Sequence, residues 1–468
     1  MKICLINPWR DTKYPQPPLA LAMIAAVLEE KGHQVKILDL TALGLSGNSI
    51  SRLISGETPD IIGITAMTPN INSAINVARQ AKEVNDDIVV VLGGAHATLF
   101  PIETLRLVPE VDIVIHGEGE ETMAELVETL EKGEVVSPQT LGVAYRENRE
   151  IRFSQKRPYI SDLDCLPYPS FHLLPMNKYR LHPPHGKQSP SIPILTSRGC
   201  PNRCIYCSKS VFGNKYRANS SKYIVDEIVF LMEKFNAKEI TFYDDVFTLD
   251  QKRIYGLCDE LDKRGIEIPW TCETRVNLVN RDLLERMNRS GCYLIAYGVE
   301  SGNQTVLNNL KKDITVEQAN HAFELTHSVG IQTIAYFMLG SPGETPETIN
   351  ETIELAKKLD PDFAQFSIST PFPGTELFKI ASKNGGVPKN WNDYVYAELR
   401  SIDSFAFETS ILKKEDLKKW NTKAYRSFYL RFHYFHKRLK KTRSVGELKL
   451  NAKGLLMLAE LVRKKARI

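Results

Sequence analysis

The sequence predicts an α/β protein made of two successive strand–helix units and a mainly helical C-terminal region. Short apolar runs alternate with segments of helical periodicity over residues 1–135, and the same alternation resumes over 191–385. With 468 residues, of which 43% are hydrophobic and 25% charged, the chain can bury several full cores. We therefore predict two domains at these ranges, a connecting segment at 136–190 and a C-terminal region at 386–468.

The first domain is predicted to be a five-stranded, doubly wound sheet. Four of its five strand candidates are nearly continuous in Val, Ile and Leu, as expected of a parallel sheet covered on both faces. They lie at residues 2–6, 35–40, 61–65, 88–92 and 112–115. Apolar residues recur at helical spacing over 19–31, 72–83 and 120–131, which predicts three helices between them.

The connecting segment combines a predicted hairpin, 141–145 with 151–153, and a Pro-rich stretch typical of a linker that wraps between domains. The second domain has six strand candidates, each followed by a helical pattern. They lie at residues 192–197, 239–243, 270–273, 293–299, 333–339 and 363–369. Six such units predict a parallel barrel or an open partial barrel, with the active site at the carboxyl ends of its strands.

The C-terminal region is basic: residues 411–468 contain 18 Lys and Arg against 4 Asp and Glu. A solvated helical face is the usual explanation of such a run, although an anionic partner would also fit. The aromatic residues of 428–435 could stack on nucleic-acid bases, but their spacing favours packing on the neighbouring domain. We therefore predict no nucleic-acid partner.

No apolar run of 18 residues is present, and the N-terminal residues lack the apolar core and cleavage site of a secretory signal. We therefore predict a cytoplasmic protein without a membrane span. Three of the eight cysteines fall within eight residues, which favours metal binding in a reducing compartment over a disulfide framework.

Those three cysteines, Cys200, Cys204 and Cys207, follow the first strand of the second domain with the spacing C-x3-C-x2-C. A closed zinc site needs four ligands, and no fourth Cys or His lies nearby at a finger spacing. Three thiolates fit a [4Fe–4S] cluster in which one iron stays open. An open iron can bind a substrate.

This loop resembles the signature of the radical S-adenosylmethionine (SAM) superfamily. The resemblance implies that the three thiolates hold a [4Fe–4S] cluster, and that the open iron chelates the amino and carboxylate groups of SAM. It also implies that one electron cleaves SAM to methionine and a 5′-deoxyadenosyl radical. Tyr206 matches the family's aromatic position against the adenine.

Further polar residues follow the later strands of the second domain, and Tyr-Gly-Val-Glu-Ser-Gly at 297–302 looks like a block common in this superfamily. Carboxylates there suit an ammonium or ribose hydroxyls, a guanidinium suits a carboxylate, and glycines permit close approach to a ring. Asp244 or Asp245 could instead cap a helix. The predicted SAM contacts are Tyr206, Asp244, Asp245, Glu273, Arg275, Glu300, Ser301, Gly340 and Gly343.

In the first domain, the dinucleotide fingerprint G-x-G-x-x-G is absent after the first strand. A glycine pair, Gly93 and Gly94, follows the fourth strand instead. Together with the segments at 14–22, 63–68 and 117–120, this pattern looks like the Rossmann-like cobalamin-binding domain of one radical SAM subfamily. The predicted cobalamin contacts are Pro17, Pro18, Leu19, Thr65, Met67, Thr68, Gly93, Gly94, His96, Thr98, Gly117 and Glu118. The motif D-x-H-x-x-G is missing, so local hydrogen bonding is the favoured role of His96 and His116 over ligation of cobalt.

The chain is thus similar to cobalamin-dependent radical SAM enzymes over residues 1–385. The resemblance implies an anaerobic methyltransferase that activates an unreactive carbon with the 5′-deoxyadenosyl radical, transfers methyl from methylcobalamin and re-methylates Co(I) with a second SAM. No general base is assigned.

Two alternatives remain open: a cobalamin-dependent radical SAM cyclase, and a non-catalytic corrinoid methyl carrier. The expected partners are a flavodoxin- or ferredoxin-like electron donor and an acceptor, which is either a polypeptide or a small molecule.

Overall fold

The computed structural model describes residues 1–441 except 48, 149, 180–185, 384–385, 389–390 and 392–405. The predictions for residues 442–468, for most of the irregular start of the C-terminal region and for part of the linker lie outside the described residues. Within the described part of the chain, none of the helices combines the length and apolar character needed to cross a bilayer.

The first sheet has seven strands in the order β2-β1-β3-β4-β5-β6-β7. Their bounds are β1 Lys2–Asn7, β2 Gln34–Asp39, β3 Ile61–Thr65, β4 Val89–Gly93, β5 Ile113–Ile115, β6 Val143–Glu147 and β7 Glu150–Phe153. The first five are parallel, which confirms the predicted doubly wound sheet.

The predicted hairpin forms, but it extends the first sheet instead of standing in the linker. Its strand β6 pairs antiparallel with β5, with Ile113 opposite Tyr145 and Ile115 opposite Val143. All four of these side chains are buried. The pairing covers the edge of β5, which would otherwise expose its unpaired backbone groups.

Helices cover both faces of this sheet. They are α1 Leu19–Glu30, α2 Leu40–Leu43, α3 Ser49–Glu57, α4 Ile71–Val84, α5 Ala95–Leu99, α6 Pro101–Leu107 and α7 Glu120–Glu131. Alternate residues of β1 enter different cores: Ile3 and Leu5 pack with α1 and α7, whereas Cys4 and Ile6 pack on the opposite face. The core on the α1 side continues through Phe171 of the linker to the second domain, so the two domains share one apolar cluster.

The second domain is an open barrel of six parallel strands in the order β15-β14-β13-β12-β11-β8. These are β8 Ser191–Ile194, β11 Glu239–Phe242, β12 Trp270–Thr274, β13 Cys292–Glu300, β14 Gln332–Leu339 and β15 Phe363–Ile368, with a separate two-stranded ribbon of β9 Ser197–Arg198 and β10 Arg217–Ala218. The associated helices are α8 Ser221–Phe235, α9 Gln251–Lys263, α10 Arg281–Arg289, α11 Gln304–Asn309, α12 Val316–Ser328, α13 Pro346–Leu359 and α14 Glu376–Lys383. Strands β8 and β15 do not pair, which confirms the predicted partial barrel.

The C-terminal region contributes α15 Lys414–Tyr429 and α16 Phe432–Lys441, and α15 packs against the edge strand β15. Three of its side chains bond to the strand backbone: Asn421 and Tyr425 to Phe366, and Tyr429 to Ala364. Polar side chains thus take the place of a neighbouring strand. This contact supports the prediction that the aromatic residues pack on the adjacent domain.

Candidate active site between the two domains

The three predicted cluster ligands lie in one loop at the carboxyl end of the barrel. Cys200, Cys204 and Cys207 all line a cavity of about 400 Å³. Ala95, which follows the glycine pair of the first domain, lines the same cavity. The cavity therefore faces both domains.

The surroundings of the cysteines fit an iron–sulfur cluster. Arg275 places Nη1 3.5 Å from Sγ of Cys204, and the amide of Asn202 lies 3.2 Å from Sγ of Cys200, so hydrogen-bond donors face both sulfur atoms. Among the described residues, no three His, Cys, Asp or Glu side chains are arranged around a single metal ion. In a cube-shaped cluster each thiolate binds a different iron, which requires more widely spaced sulfur atoms than one ion does.

A three-residue polar group stands beside the cysteines. Oε1 of Glu300 accepts hydrogen bonds from the hydroxyl of Tyr206, at 3.0 Å, and from Nζ of Lys312, at 2.8 Å. Gly298 makes room for this ion pair, because a Cβ there would lie 2.7 Å from both Glu300 Oε1 and Lys312 Nζ. Glu300 itself has φ of +69°, a conformation that L side chains rarely adopt.

Arg275 joins this polar group to the cysteine loop. Its Nη2 donates to the backbone oxygen of Lys312, while Nη1 lies beside Cys204. Burial of the aromatic ring beside Glu300 raises the pKa of Tyr206 well above its ordinary value, so its hydroxyl remains a donor. The cavity wall thus presents the ion pair of Lys312 and Glu300, with the guanidinium group of Arg275 beside it.

Two further carboxyl groups line the same cavity. Burial raises the pKa of Glu273, and the hydroxyl of Tyr336, which donates to Glu273 Oε1 at 3.0 Å, opposes that shift. Burial and the nearby charge of Asp244 likewise raise the pKa of Asp245. Five predicted SAM contacts, Tyr206, Asp245, Glu273, Arg275 and Glu300, therefore line one cavity with the cysteines.

Asp244 has a different environment, because it is 1% exposed and surrounded by donors. Its carboxylate accepts from Thr196 N and Oγ1 and from Ser197 Oγ, each at 2.7 Å, and from Arg253 Nη2 at 3.1 Å. These contacts tie the end of β11 to the segment that leads into the cysteine loop. They assign Asp244 to support of the loop, and the side chain is not among the residues that line the cavity.

Ser301, Gly340 and Gly343 also lie away from the cavity lining. The Ser301 hydroxyl is buried and lies 3.2 Å from Thr352 Oγ1. The backbone N–H of Gly340 donates to the carboxylate of Glu344, whose pKa burial raises to about 7. A Cβ at Gly340 would collide with Leu417 of α15, and one at Gly343 with the side chain of Asn309. In this structure these glycines permit packing within the protein.

The predicted cobalamin contacts gather at the carboxyl edge of the first sheet. Gly94 has φ of +94°, and a Cβ there would lie 2.6 Å from the backbone oxygen of Ala66, so the loops after β3 and β4 touch at this glycine. Thr98 Oγ1 donates to the oxygen of Gly94, at 2.9 Å, and accepts from the N–H of Gly117, at 3.1 Å. The loops after β3, β4 and β5 thus form one connected surface.

His96 is fully buried behind this surface. Its Nδ1 lies 3.2 Å from Thr68 Oγ1, and its ring contacts Trp391 edge-on with the centroids 4.4 Å apart. Burial lowers its pKa to about 4, so the ring is neutral at pH 7. These contacts agree with the favoured role in local hydrogen bonding, although Nε2 has no hydrogen-bond partner within the described residues.

The same edge presents large apolar side chains to solvent. Trp9, in the loop after β1, is 38% exposed, and Met67, in the loop after β3, is 40% exposed. The predicted residues Pro17, Pro18 and Leu19 lie at the start of α1, where the N–H of Leu19 bonds to the oxygen of Pro17. An exposed apolar edge beside close-packed glycine loops fits a broad ring ligand such as a corrinoid.

Glu118, another predicted cobalamin contact, is held by the second domain and the linker. Its Oε1 accepts from Arg198 Nη1, at 3.0 Å, and from Arg217 Nη1, at 2.9 Å, while Oε2 accepts from the N–H of Ile160. Arg198 also reaches Glu120, at 2.7 Å. The carboxylate therefore contacts groups of the protein, and its contact with cobalamin stays a prediction.

The sequence did not reveal Lys312, Arg198, Arg217 or Trp9 as members of the site. Lys312 lies in a Lys-Lys-Asp run that looks like an ordinary solvated turn. Arg198 stands two residues before the first cluster cysteine, and this proximity was the one signal available. Arg198 and Arg217 pair with Glu118, and Lys312 contacts Tyr206, all across 80 or more positions, so only the folded chain brings these residues together.

Comparisons with known proteins agree with this arrangement. Residues 10–127 match the B12 binding domain, and residues 194–356 match the Radical SAM superfamily. An uncharacterized methyltransferase of Pyrococcus horikoshii is 38% identical over 439 residues, covering 92% of this chain and 93% of its own. An anaerobic magnesium-protoporphyrin IX monomethyl ester cyclase of Rubrivivax gelatinosus is 34% identical over 369 residues, covering 78% and 66%.

The solved structure of the cobalamin-dependent S-adenosylmethionine radical enzyme OxsB with aqua-cobalamin bound superposes with a TM-score of 0.77. It is 18% identical and covers 98% of this chain and 72% of its own. That likeness concerns the fold, and it extends over both domains.

Proposed function

Because the chain belongs to the family of cobalamin-binding radical SAM enzymes, we propose that it transfers a methyl group to an unreactive carbon atom. The observation that carries the proposal is the single cavity lined by Cys200, Cys204 and Cys207 of one domain and by Ala95 of the other. A reaction that uses a cluster, SAM and a corrinoid needs all three to face one enclosed space.

When bound, these cofactors supply a 5′-deoxyadenosyl radical that removes a hydrogen atom and a methyl group that cobalamin delivers to the resulting carbon radical. The chain contributes binding and orientation. Lys312 and Glu300 offer a cation and an anion to the carboxylate and ammonium groups of SAM. Arg275 holds the backbone of Lys312 and faces Cys204, so it orients this pair relative to the cluster.

The experiment uses anaerobically reconstituted protein with both cofactors, a flavodoxin- or ferredoxin-like electron donor, and SAM carrying a CD3 group. An extract from a strain that lacks this protein supplies candidate acceptors. We expect mass spectrometry to show 5′-deoxyadenosine, S-adenosylhomocysteine and a product that carries CD3. The Cys200→Ala variant, which cannot hold the cluster, should give no labelled product; absence of 5′-deoxyadenosine with the wild-type protein would refute the proposal.

A cyclase-type oxidation is the second candidate, favoured by the 34% identity to the Rubrivivax cyclase. It would consume SAM and yield 5′-deoxyadenosine without S-adenosylhomocysteine or CD3 transfer, so the same assay distinguishes the two reactions. A non-catalytic corrinoid carrier would keep full cellular activity in the Cys200→Ala variant.

A further inference from the structure

The cluster loop is closed at its base by the ribbon of β9 and β10. Arg198 lies directly opposite Arg217 in this ribbon, and residues 199–216 between them contain all three cluster cysteines. Gly199, at φ of +81°, stands so close to the returning chain that a Cβ would lie 2.3 Å from the oxygen of Lys215. Any shift of the ribbon therefore moves the loop that holds the cysteines.

Both arginines of the ribbon point into the first domain. Arg198 pairs with Glu118 and Glu120, and Arg217 pairs with Glu118. Exposure of these four side chains is between 2% and 6%, so the two cations and two anions form a neutral, buried group at the domain boundary. Arg217 also donates to the oxygen of Ile160 in the linker, at 2.7 Å.

On the other side, Glu118 stands in the loop between β5 and α7. Its neighbour Gly117 donates to Thr98, and Thr98 donates to Gly94, so two hydrogen bonds join this loop to the glycine pair. The loops proposed to bind cobalamin and the loop proposed to bind the cluster are thus connected through one carboxylate.

Burying these four charged side chains contributes little to the net free energy of unfolding. Removing two carboxylates and two guanidinium groups from water costs several kcal/mol per ion, and well-packed apolar residues often do as well or better. What the charged group adds is direction, because Nη1 of Arg198 and Nη1 of Arg217 both donate to Oε1 of Glu118 and so hold the two strands of the ribbon at hydrogen-bond distance from one atom. The contact is therefore suited to setting a distance.

We propose that Glu118 is a positioning residue that fixes the separation between the cluster loop and the cobalamin-binding loops. The inference rests on the proposed function, since it requires that both cofactors bind. It replaces the predicted contact of Glu118 with cobalamin by contacts with Arg198 and Arg217.

The test uses the holoenzyme with cobalamin as cob(II)alamin and the cluster reduced by dithionite. Pulsed electron paramagnetic resonance measures the spin-relaxation rate of cob(II)alamin, which depends steeply on its distance from the cluster. Glu118→Asp keeps the charge but shortens the side chain by one methylene, and Glu118→Gln removes the charge. The matched control is Glu125→Gln, which removes a partner of Arg157 on the partly exposed face of α7.

We expect Glu118→Asp to bind both cofactors in wild-type amounts and to form 5′-deoxyadenosine from SAM, yet to show a shifted relaxation rate. A displacement of about 1 Å is enough to lower CD3-labelled product per 5′-deoxyadenosine by about 100-fold. Glu125→Gln should match the wild type. If Glu118→Gln does not fold, the relaxation rate of cob(II)alamin in Glu118→Asp alone tests the proposal.

An unchanged relaxation rate in Glu118→Asp would overturn the positioning role. The positioning role would also be overturned if the amount of bound cofactor and the relaxation signal fell only in proportion to the loss of folded protein. Failure of the wild-type holoenzyme to bind one of the cofactors would instead overturn the proposed function.

Discussion

Replacing Tyr429 by Phe should weaken the attachment of the C-terminal helix α15 to the barrel. The Tyr429 hydroxyl accepts a hydrogen bond from the N–H of Ala364, at 3.0 Å, and donates one to the oxygen of the same residue, at 2.8 Å. The variant removes both bonds without removing the ring. It leaves two backbone groups of the edge strand β15 without these partners.

The expected size follows from the number of bonds lost. A hydrogen bond contributes a net of about 0.5–1.5 kcal/mol, so Tyr429→Phe should lower the free energy of unfolding by about 1–3 kcal/mol. Tyr425 makes one such bond, from the N–H of Phe366 at 3.2 Å, so Tyr425→Phe should cost about half as much. The losses of unfolding free energy in the two variants can thus be compared with the number of hydrogen bonds that each variant removes.

Urea unfolding provides the assay, followed by fluorescence of Trp420, which lies in α15, and of Trp270, which lies in the barrel core. Since the chain has two domains, the transition midpoints are compared and a single two-state fit is not assumed. Tyr255→Phe is the control, because its hydroxyl makes no hydrogen bond within the described residues. Equal midpoints for Tyr429→Phe and Tyr255→Phe would refute the idea that side-chain bonds secure β15.

Three further predictions concern other parts of the molecule. Burial raises the pKa of Glu227 to about 8 from an ordinary 4.5, so the folded state holds its proton more tightly than the unfolded state. The stability that protonated Glu227 contributes is complete below pH 4.5 and is lost as the pH rises through 8. Glu227→Gln should therefore remove the part of the fall in Tm with rising pH that Glu227 causes. A Tm that depends on pH as in the wild type would contradict this expectation. Gly94→Ala places a Cβ against Ala66 and should abolish binding of aqua-cobalamin in a spectrophotometric titration; Gly133→Ala, with open space around the Cβ, should retain binding, and retention by both would contradict the expectation. Cys204→Ala should remove the visible absorbance of the reconstituted cluster while the first domain still binds cobalamin, whereas a cluster that survives would disprove the ligand assignment.

The regular elements were predictable because their signals are local. The runs of Val, Ile and Leu locate the parallel strands of the first domain, since such strands are buried on both faces and leave few alternatives. The hairpin of β6 and β7 was also visible, but its place in the first sheet was not. That place depends on the edge of β5, a strand of three residues whose need for a partner is a property of the fold.

The site was predictable where a motif is contiguous and unpredictable where charges pair across the chain. Cys200, Cys204 and Cys207 share one short loop, so their spacing alone indicates the chemistry. The pairing of Glu118 with Arg198 joins residues 80 positions apart, and no local pattern marks it. Asp244 illustrates the same limit, because its role follows from the donors around it and not from its place at a strand end.

The left-handed backbone at Glu300 has a consequence for evolution in the laboratory. Holding a non-glycine residue there costs on the order of 1–3 kcal/mol. Replacing Glu300 by glycine would relieve that strain but leave the buried Lys312 cation without its carboxylate, at a cost of about 3–5 kcal/mol. Selection for heat resistance should therefore accept glycine at this position only after Lys312 has also been replaced by an uncharged residue.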